Sequence, residues 1–213
     1  MRLHFGELSL LSGDIVSETL SRGEYWEDHV YRALEPYLDG DVVDVGANVG
    51  AFTLRFAQFA PRVIAFEPNP EMFACLVRNL DYLEMRDRVV AIPEGVYSKP
   101  ITIAPQKSSY PPSVWTWLPG DRYATTKAGP AVWPEMERRV SAIKTDVQGA
   151  DLHALLGLET VIVRDRPRIV FEYEEDFSAM HGHTWADYSH QMTVWGYQLQ
   201  RLEPTRDYFC EPV

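Results

Sequence analysis

Short apolar segments alternate with helical segments along most of this 213-residue chain. The segments VVDVG (42–46), VIAF (63–66) and VVAI (89–92) are short and rich in β-branched residues, as buried strands are. Helical patterns of apolar residues separate them, and the connections are short. This alternation predicts a parallel sheet with helices on both faces, which is a Rossmann-like, doubly wound α/β fold.

Two helices are predicted around the first strand. Residues 24–38 place apolar side chains on one helical face before it. After it, Phe52, Phe56 and Phe59 follow the spacing of one helical face, and Pro61 ends the pattern. Both helices are expected to pack against the sheet.

A further helix is predicted after the second strand. Asn69 followed by Pro70 is typical of an N-cap and a first helical residue. The residues predicted to face inward are Phe73, Leu76, Val77 and Leu80.

The alternation resumes in the last third of the chain. Strands are predicted at 141–147 and 168–172, a helix near 184–194, and a closing hairpin from TVWGYQLQRL and TRDYFCEPV. The resulting sheet has about six or seven strands in one domain covering residues 1–213, with an N-terminal helical cap over about 1–40.

Residues 104–138 interrupt this pattern. The segment is rich in proline and aromatic residues and has neither helical nor strand periodicity. A segment of that kind predicts a lid or binding loop, or else a packed excursion that covers the sheet edge. Its aromatic residues are Tyr110, Trp115, Trp117, Tyr123 and Trp133.

Composition excludes several classes of protein. The formal net charge of -11 opposes binding to nucleic acid or to an anionic membrane surface. We find no transmembrane-length apolar run and no secretory signal pattern, so a cytoplasmic location is expected. Cys75 and Cys210 lack a CxxC spacing, which fits a reducing compartment, and Cys75 is expected to lie in the core.

The motif DVGANVG, Asp44 to Gly50, lies at the end of the first predicted strand. Glycines at Gly46 and Gly50 allow a sharp turn and a close approach to a ligand. The spacing is not the GxGxxG of dinucleotide-binding proteins, and the lysine of a P-loop is absent. The turn is therefore expected to bind a polar ligand other than NAD or ATP.

Glu67 follows the second predicted strand, 23 residues after Asp44. An acidic residue in this position can accept hydrogen bonds from two ribose hydroxyls. A solvated carboxylate at a strand end is the alternative. The pairing with the glycine turn favours a ligand that contains ribose.

Four segments together resemble the FkbM-type class I methyltransferases: VVDVGANVGAFTLRFA, VIAFEPNPEMFACLVRNL, IKTDVQGADLHALLGL and RPRIVFE. The resemblance covers roughly residues 38–100 and 140–200. It implies a mostly parallel seven-stranded sheet with an antiparallel C-terminal strand, S-adenosylmethionine as cofactor, and methyl transfer to oxygen, typically a hydroxyl of a sugar or natural product.

The resemblance also implies a set of cofactor-binding residues. The segment from Asp44 to Gly50 would surround the methionine end, Glu67 would bind ribose, and the end of the third strand would lie by adenine. The full set is Asp44, Gly46, Ala47, Asn48, Gly50, Glu67, Pro68, Glu94 and Gly95.

The sequence departs from the family pattern at Gln148, where the family usually has the glutamate of D-x-E-G. Asp146 and Glu172 could be two ligands of a magnesium ion, but an amide in place of a third acid argues against an obligatory metal. We therefore predict no metal site.

A hydroxyl acceptor must lose its proton, so a base is expected near the transferred methyl group. The candidates are Asp146, at a strand end, and His181 and His183, in a loop after the strand that ends at Glu172. Asp146 could instead cap the following helix, and the histidines could be solvated or ligate a metal.

The expected partner is a small-molecule or glycan acceptor, neutral or cationic rather than phosphorylated, unless Lys107, Arg122 and Lys127 gather to bind an anion. A homodimer is left open. The alternatives are a degenerate methyltransferase domain that acts as a binding or scaffold module, a nicotinamide-dependent oxidoreductase, which the GxxxG spacing disfavours, and a nucleic acid methyltransferase, which the net charge disfavours.

Overall fold

The structure is a computed structural model that describes residues 8–105, 116–120, 124–127 and 136–213. The strands in these ranges are β1 (Asp41–Val45), β2 (Val63–Phe66), β3 (Val89–Ile92), β4 (Gly95–Val96), β5 (Thr102–Pro105), β6 (Trp117–Pro119), β7 (Ala124–Lys127), β8 (Val140–Thr145), β9 (Arg168–Glu172), β10 (Tyr197–Arg201) and β11 (Asp207–Pro212). The helices are α1 (Ile15–Ser21), α2 (Asp28–Leu34), α3 (Thr53–Phe56), α4 (Pro70–Tyr82), α5 (Asp151–Gly157), α6 (Glu159–Asp165), α7 (Glu175–Met180) and α8 (Trp185–Val194).

Seven strands form the main sheet in the order β10-β11-β9-β8-β1-β2-β3. Neighbours from β9 to β3 are parallel, and β11 lies antiparallel between β9 and β10. The predicted fold class and the closing hairpin are therefore confirmed. Strand β1 lies inside the sheet between β8 and β2, and all five of its residues are buried.

Alternate residues of β1 point to opposite faces of the sheet, as the strand period of two requires. Val42 packs in a buried cluster with residues of α1 to α4, such as Leu34 and Leu76. Val43 packs on the other face in a cluster with residues of α5, α6 and α8, such as Leu155. Because both faces are covered, the strands read as nearly continuous apolar runs.

Helix α4 begins as predicted. The Asn69 side chain accepts a hydrogen bond from the backbone N–H of Glu71, and Pro70 is the first helical residue. The buried face is rotated slightly from the prediction, because Met72 and Cys75 are buried whereas Phe73 and Val77 are only partly buried. The core position predicted for Cys75 is confirmed.

Two predicted helices are shorter in the structure. The helix expected over 24–38 is α2 followed by a short 3-10 helix at Glu35–Tyr37, where Pro36 removes a backbone donor. The helix after β1 ends at Phe56, and Phe59 is 57% exposed. The expectation that Phe59 packs inward is therefore wrong.

The described parts of 104–138 contain β6, β7 and the end of β5, which the sequence did not predict. Strands β4, β7, β5 and β6 form a second, four-stranded sheet in that order. These strands have only two to four residues, too few for an alternating pattern to stand out. Of the aromatic residues named above, Trp117 is described, and the other four lie outside the described residues.

The domain boundaries and the lid role of 104–138 stay predictions. The N-terminal helices share one buried cluster with the main sheet, which agrees with the single-domain expectation without testing it. In the described ranges, no helix has the length and apolar character needed to cross a membrane.

Candidate active site

A cleft of about 710 Å³ lies at the carboxyl ends of β1, β2 and β8. Ligands bind at this edge in open α/β sheets because the connections there leave a crevice between neighbouring strands. The residues that line the cleft are Ile15, Val16, Trp26, Gly46, Ala47, Asn48, Ala51, Phe52, Glu67, Pro68, Asn69, Met72, Trp117, Lys144, Asp146, Val147 and Gln148.

The turn after β1 forms one wall. Gly46 has φ +82°, and a Cβ atom there would lie 2.1 Å from the backbone oxygen of Asp146, so glycine is required for both conformation and space. The backbone N–H groups of Gly46 and Ala47 both donate to the carbonyl oxygen of Phe66, at 3.0 Å. These two N–H groups therefore hold β1 to β2 and are already satisfied.

Glu67 holds the same turn from the end of β2. Its two carboxylate oxygens accept hydrogen bonds from the backbone N–H groups of Asn48, at 2.7 Å, and Asn69, at 2.8 Å. Burial raises the pKa of Glu67 to about 7, against the lowering by these two hydrogen bonds. Each oxygen keeps a second lone pair, so acceptance from ribose hydroxyls is still available.

Two predicted cofactor-binding residues of the Asp44–Gly50 motif do not line the cleft. Asp44 is fully buried, and its Oδ2 accepts a hydrogen bond from Thr53 Oγ1 at 2.6 Å. Gly50 has φ +102° and packs against Leu76, whose Cδ1 would lie 2.9 Å from an added Cβ. Both residues shape the turn from behind, and direct cofactor contact stays a prediction for them.

Asp146 and Gln148 lie together on the opposite wall. Gln148 Nε2 donates to Asp146 Oδ1 at 2.9 Å and to Glu172 Oε2 at 3.2 Å. A glutamate at this position could not donate to two carboxylates when ionised. Burial, with the charge of Asp146, raises the pKa of Glu172 well above its usual range. The amide that departs from the family pattern thus links two acids.

Sequence reasoning missed Glu27, the residue before α2. Its backbone is left-handed, with φ +42°, which is unusual for a residue other than glycine. Burial, with the charges of Asp146 and Asp207, raises the pKa of Glu27. Only the folded chain brings this N-terminal residue into the electrostatic environment of Asp146, so no local pattern could have revealed it.

Lys144 was also missed, although it is the one charged residue of β8, VSAIKT. Its side chain is 4% exposed and lies on the cleft wall. A lysine inside a buried strand was the available signal, because such a charge is rarely buried without a partner.

A second, apolar cleft of about 370 Å³ adjoins the first and shares Gly46, Pro68, Trp117 and Val147 with it. Gly95 lines this second cleft. Glu94 does not line either cleft: it accepts a hydrogen bond from Thr125 Oγ1 at 2.8 Å and lies 3.3 Å from Lys127 Nζ. A cofactor contact by the Glu94 side chain stays a prediction.

The two candidate catalytic histidines form a cluster with His153 and with Tyr97, which lines the second cleft. The ring centroids of His153 and His183 are 4.4 Å apart, and His181 Nε2 lies 2.8 Å from Thr116 Oγ1. Neither His181 nor His183 lines either cleft. Burial lowers the pKa of His181 to about 4, so this imidazole is neutral near pH 7. Their catalytic role stays a prediction.

The described residues contain no group of three or more His, Cys, Asp or Glu side chains arranged to hold a metal ion.

The residues present fit a nucleoside cofactor with an amino-acid end. Glu67 provides acceptors for ribose, and the apolar second cleft suits a base. The first cleft also has the buried Lys144 ammonium on its wall, and Asp44 Oδ1, 3.6 Å from that ammonium, is buried without a hydrogen-bond partner. The donors and acceptors of the site therefore match the three parts of such a molecule.

Solved structures of methyltransferases share this fold. Methyltransferase FkbM from Methylobacillus flagellatus aligns with a TM-score of 0.53 and 15% identity over 82% of this chain, which spans 44% of that chain. A Streptococcus mutans protein solved in complex with SAH aligns with a TM-score of 0.58 and 11% identity, covering 87% of this chain and 97% of that one.

Sequence comparison gives a closer relation. The chain is 27% identical over 177 residues to methyltransferase sdnD from Sordaria araneosa, covering 64% of this chain and 67% of that protein. The family profile described as the methyltransferase FkbM domain matches residues 44–199. This match supports S-adenosylmethionine as the cofactor, as the sequence led us to expect. The chain belongs to the FkbM methyltransferase family.

Proposed function

We propose that this protein transfers a methyl group from S-adenosylmethionine to a hydroxyl oxygen of a sugar, glycan or natural-product small molecule. The observation that carries the proposal is the Asp146 carboxylate, which lies on the cleft wall with its side chain 24% exposed. It combines access to the cleft with a fixed position, because Gln148 Nε2 donates to it.

The cleft offers a place for each part of the cofactor. Glu67 accepts from the ribose hydroxyls, the turn from Gly46 to Asn48 surrounds the methionine end, and the second cleft beside Gly95 takes the adenine. When bound, the cofactor supplies a methyl group activated by a positively charged sulfur. The chain therefore has to orient the acceptor and remove its proton.

We assign Asp146 as the base that removes the proton of the acceptor hydroxyl. Its carboxylate can accept a hydrogen bond from an acceptor hydroxyl and then the proton as the oxygen is methylated. The Gln148 amide keeps that carboxylate oriented toward the cleft. His181 and His183 do not line the cleft, so Asp146 is the better-placed base.

The other cleft walls suit a small molecule with both hydroxyls and apolar surface. Trp26, Phe52 and Val16 contribute apolar area, while Asp146 and Gln148 contribute polar groups. Aromatic faces stack against the C–H surface of sugars and exclude water from the reaction. A hydroxylated ligand of modest size therefore fits the cleft better than a charged polymer does.

The test is transfer of radiolabelled methyl from S-adenosylmethionine to extract fractions, with the labelled product identified by mass spectrometry. We expect an O-methyl ether on a small molecule or glycan. Asp146→Asn should retain cofactor binding and lose about 10²–10⁴-fold in transfer rate, the usual contribution of a general base. Asp81→Asn, at an exposed surface position, is the matched control.

Three outcomes would contradict the proposal. Labelled methyl on nitrogen or carbon would contradict O-methylation. An Asp146→Asn variant with the wild-type transfer rate would show that Asp146 is not the base. Cofactor binding without transfer to any fraction would favour a binding or scaffold module.

A further inference from the structure

Lys144 is the only cation among the described residues that line the cleft; the other charged side chains there are the acids Glu67 and Asp146. Its side chain lies on β8 directly beside β1, because Lys144 and Asp44 are register partners in the sheet. The ammonium therefore lies next to the glycine turn, at the carboxyl ends of these two strands.

The contacts of this ammonium are all long. Nζ lies 3.4 Å from the carbonyl oxygen of Gly46 and 3.6 Å from both Asp44 Oδ1 and Asp146 Oδ2. It also lies 4.8 Å from the centroid of the Phe52 ring. An ammonium has three donors, and hydrogen bonds to oxygen normally span 2.7–3.2 Å. Lys144 can thus make shorter bonds to a ligand without giving up a short bond to the protein.

Lys144 stays protonated and positively charged. Burial alone would lower its pKa, but the carboxylates of Asp146 and Asp44 outweigh that effect and raise the pKa above its ordinary value. The group is therefore a cation throughout the physiological pH range. A buried cation at the wall of a cleft favours an anionic group in the ligand.

We propose that Lys144 binds the α-carboxylate of the methionine moiety of S-adenosylmethionine. The inference rests on the cofactor in the proposed function. The carboxylate is the single anionic group of that cofactor, whose sulfur and amino group are both cationic. Glu67 and the apolar second cleft suit the ribose and the base, which leaves the Lys144 end for the amino-acid group. Asp44 acts as the fixed counterion that holds the ammonium in position.

The first test needs no variant. Calorimetry compares wild-type binding of S-adenosylmethionine with that of decarboxylated S-adenosylmethionine, which differs only in lacking the carboxylate. A charge-assisted hydrogen bond of about 1.5–3 kcal/mol corresponds to roughly 10- to 150-fold, so the intact cofactor should bind more tightly by that factor. Equal affinity for the two compounds would overturn the inference.

The second test removes the charge. In Lys144→Met, the intact cofactor should bind less than about threefold more tightly than the decarboxylated compound. The affinity for the decarboxylated compound should stay within about threefold of its wild-type value. Because this variant leaves two acids without their cation, the double variant Lys144→Met, Asp44→Asn is measured alongside it. Lys99→Met, at an exposed lysine, is the matched control and should keep the wild-type preference.

The results separate the inference from the proposed function. If the wild type binds neither compound, the cofactor assignment fails and the inference fails with it. If both compounds bind and Lys144→Met or the double variant keeps the wild-type preference, the inference alone fails, and Lys144 is a structural counterion of Asp44 and Asp146.

Discussion

Glu67 combines two tasks at one residue. Its carboxylate closes the turn after β1 through the N–H of Asn48 and fixes the start of α4 through the N–H of Asn69. A ribose would be bound by a group that is already oriented, which limits the entropy lost on binding. Position and ligand binding therefore depend on the same two oxygens.

We expect Glu67→Ala to weaken binding of S-adenosylhomocysteine by about tenfold or more, because both the acceptors for ribose and the support of the turn are lost. Calorimetry at constant pH measures the change. Glu71→Ala, at an exposed residue of α4, is the control and should bind as the wild type does. Unchanged affinity in Glu67→Ala would remove the ribose assignment.

Gly46 is constrained by space as well as by conformation. Gly182 has a similar φ, +79°, but an added Cβ there would meet no atom within 4 Å. We expect Gly182→Ala to lose about 1–2 kcal/mol, the cost of a left-handed alanine. Gly46→Ala should lose more, at or above the upper end of the usual 0.5–3 kcal/mol range.

Urea unfolding of the two variants makes the comparison, since they share the backbone cost and differ in the clash with the Asp146 backbone. Equal losses of unfolding free energy would show that the backbone at Asp146, just after β8, moves aside readily. In that case Gly46 would be required for its conformation alone.

The residues of the turn could be predicted because their signal is local: glycine spacing and an acid at the next strand end. Glu27 and Gln148 could not be assigned in this way. Their roles arise from the charge of Asp146 near Glu27 and from the hydrogen bonds of Gln148 to Asp146 and Glu172, which only the folded sheet creates. Lys144 is an intermediate case. The sequence showed both the strand and the charged residue in it, but not that this residue lines the cleft.

At the scale of elements, the main strands and their order along the chain were predictable, and the shortest elements were not. Strands β2, β3 and β9 have the predicted bounds because buried parallel strands are continuous apolar runs. Helix α3 has only four residues, and most of its predicted length is irregular. Such short elements are stabilised by tertiary packing, which local periodicity does not record.

The histidine cluster joins three elements that are distant in sequence. His153 lies on α5, His181 and His183 follow α7, and Thr116 precedes β6. Burial lowers the pKa values of His153 and His181 to about 4 from an ordinary 6.5. Mutual repulsion among the three imidazoles adds to this lowering, and the Asp187 carboxylate opposes it at His183.

Lowering the pH from about 6.5 to about 4 should therefore reduce the stability that this cluster contributes, because unfolded histidines take up protons in that range before the folded ones do. Buried acids such as Glu67 titrate in an overlapping range with the opposite sign. The informative quantity is thus the difference in unfolding free energy between the wild type and His181→Gln. When the pH is lowered from 7.5 to 5, we expect the wild type to lose more unfolding free energy than His181→Gln does.

Urea unfolding at the two pH values measures that difference. His190→Gln, at an exposed position on α8, is measured alongside as the control. A pH-independent difference for His181→Gln would show that the folded cluster accepts protons as readily as the unfolded chain.

At the scale of the whole molecule, the net charge of -11 and the Asp146 carboxylate at the cleft act in the same direction. Asp146 lines the cleft, whereas Glu27 and Glu172 nearby carry less charge near pH 7, because burial raises their pKa values. Of the three basic residues that could have gathered to bind an anion, Lys127 is paired with Glu94, and Lys107 and Arg122 lie outside the described residues. The electrostatic field thus favours an acceptor without negative charge.

We accordingly expect the methyl label to appear in neutral or cationic acceptors rather than phosphorylated ones. An anionic acceptor would be repelled both during approach and beside Asp146, and the repulsion would be strongest at low ionic strength. The measurement separates the extract by anion exchange before incubation with labelled cofactor, and the label should be found in the unretained fraction. A parallel sample treated with phosphatase should label equally well or better. Label confined to the retained fraction, and lost on phosphatase treatment, would show that a local group of basic residues outweighs the charge of the whole molecule.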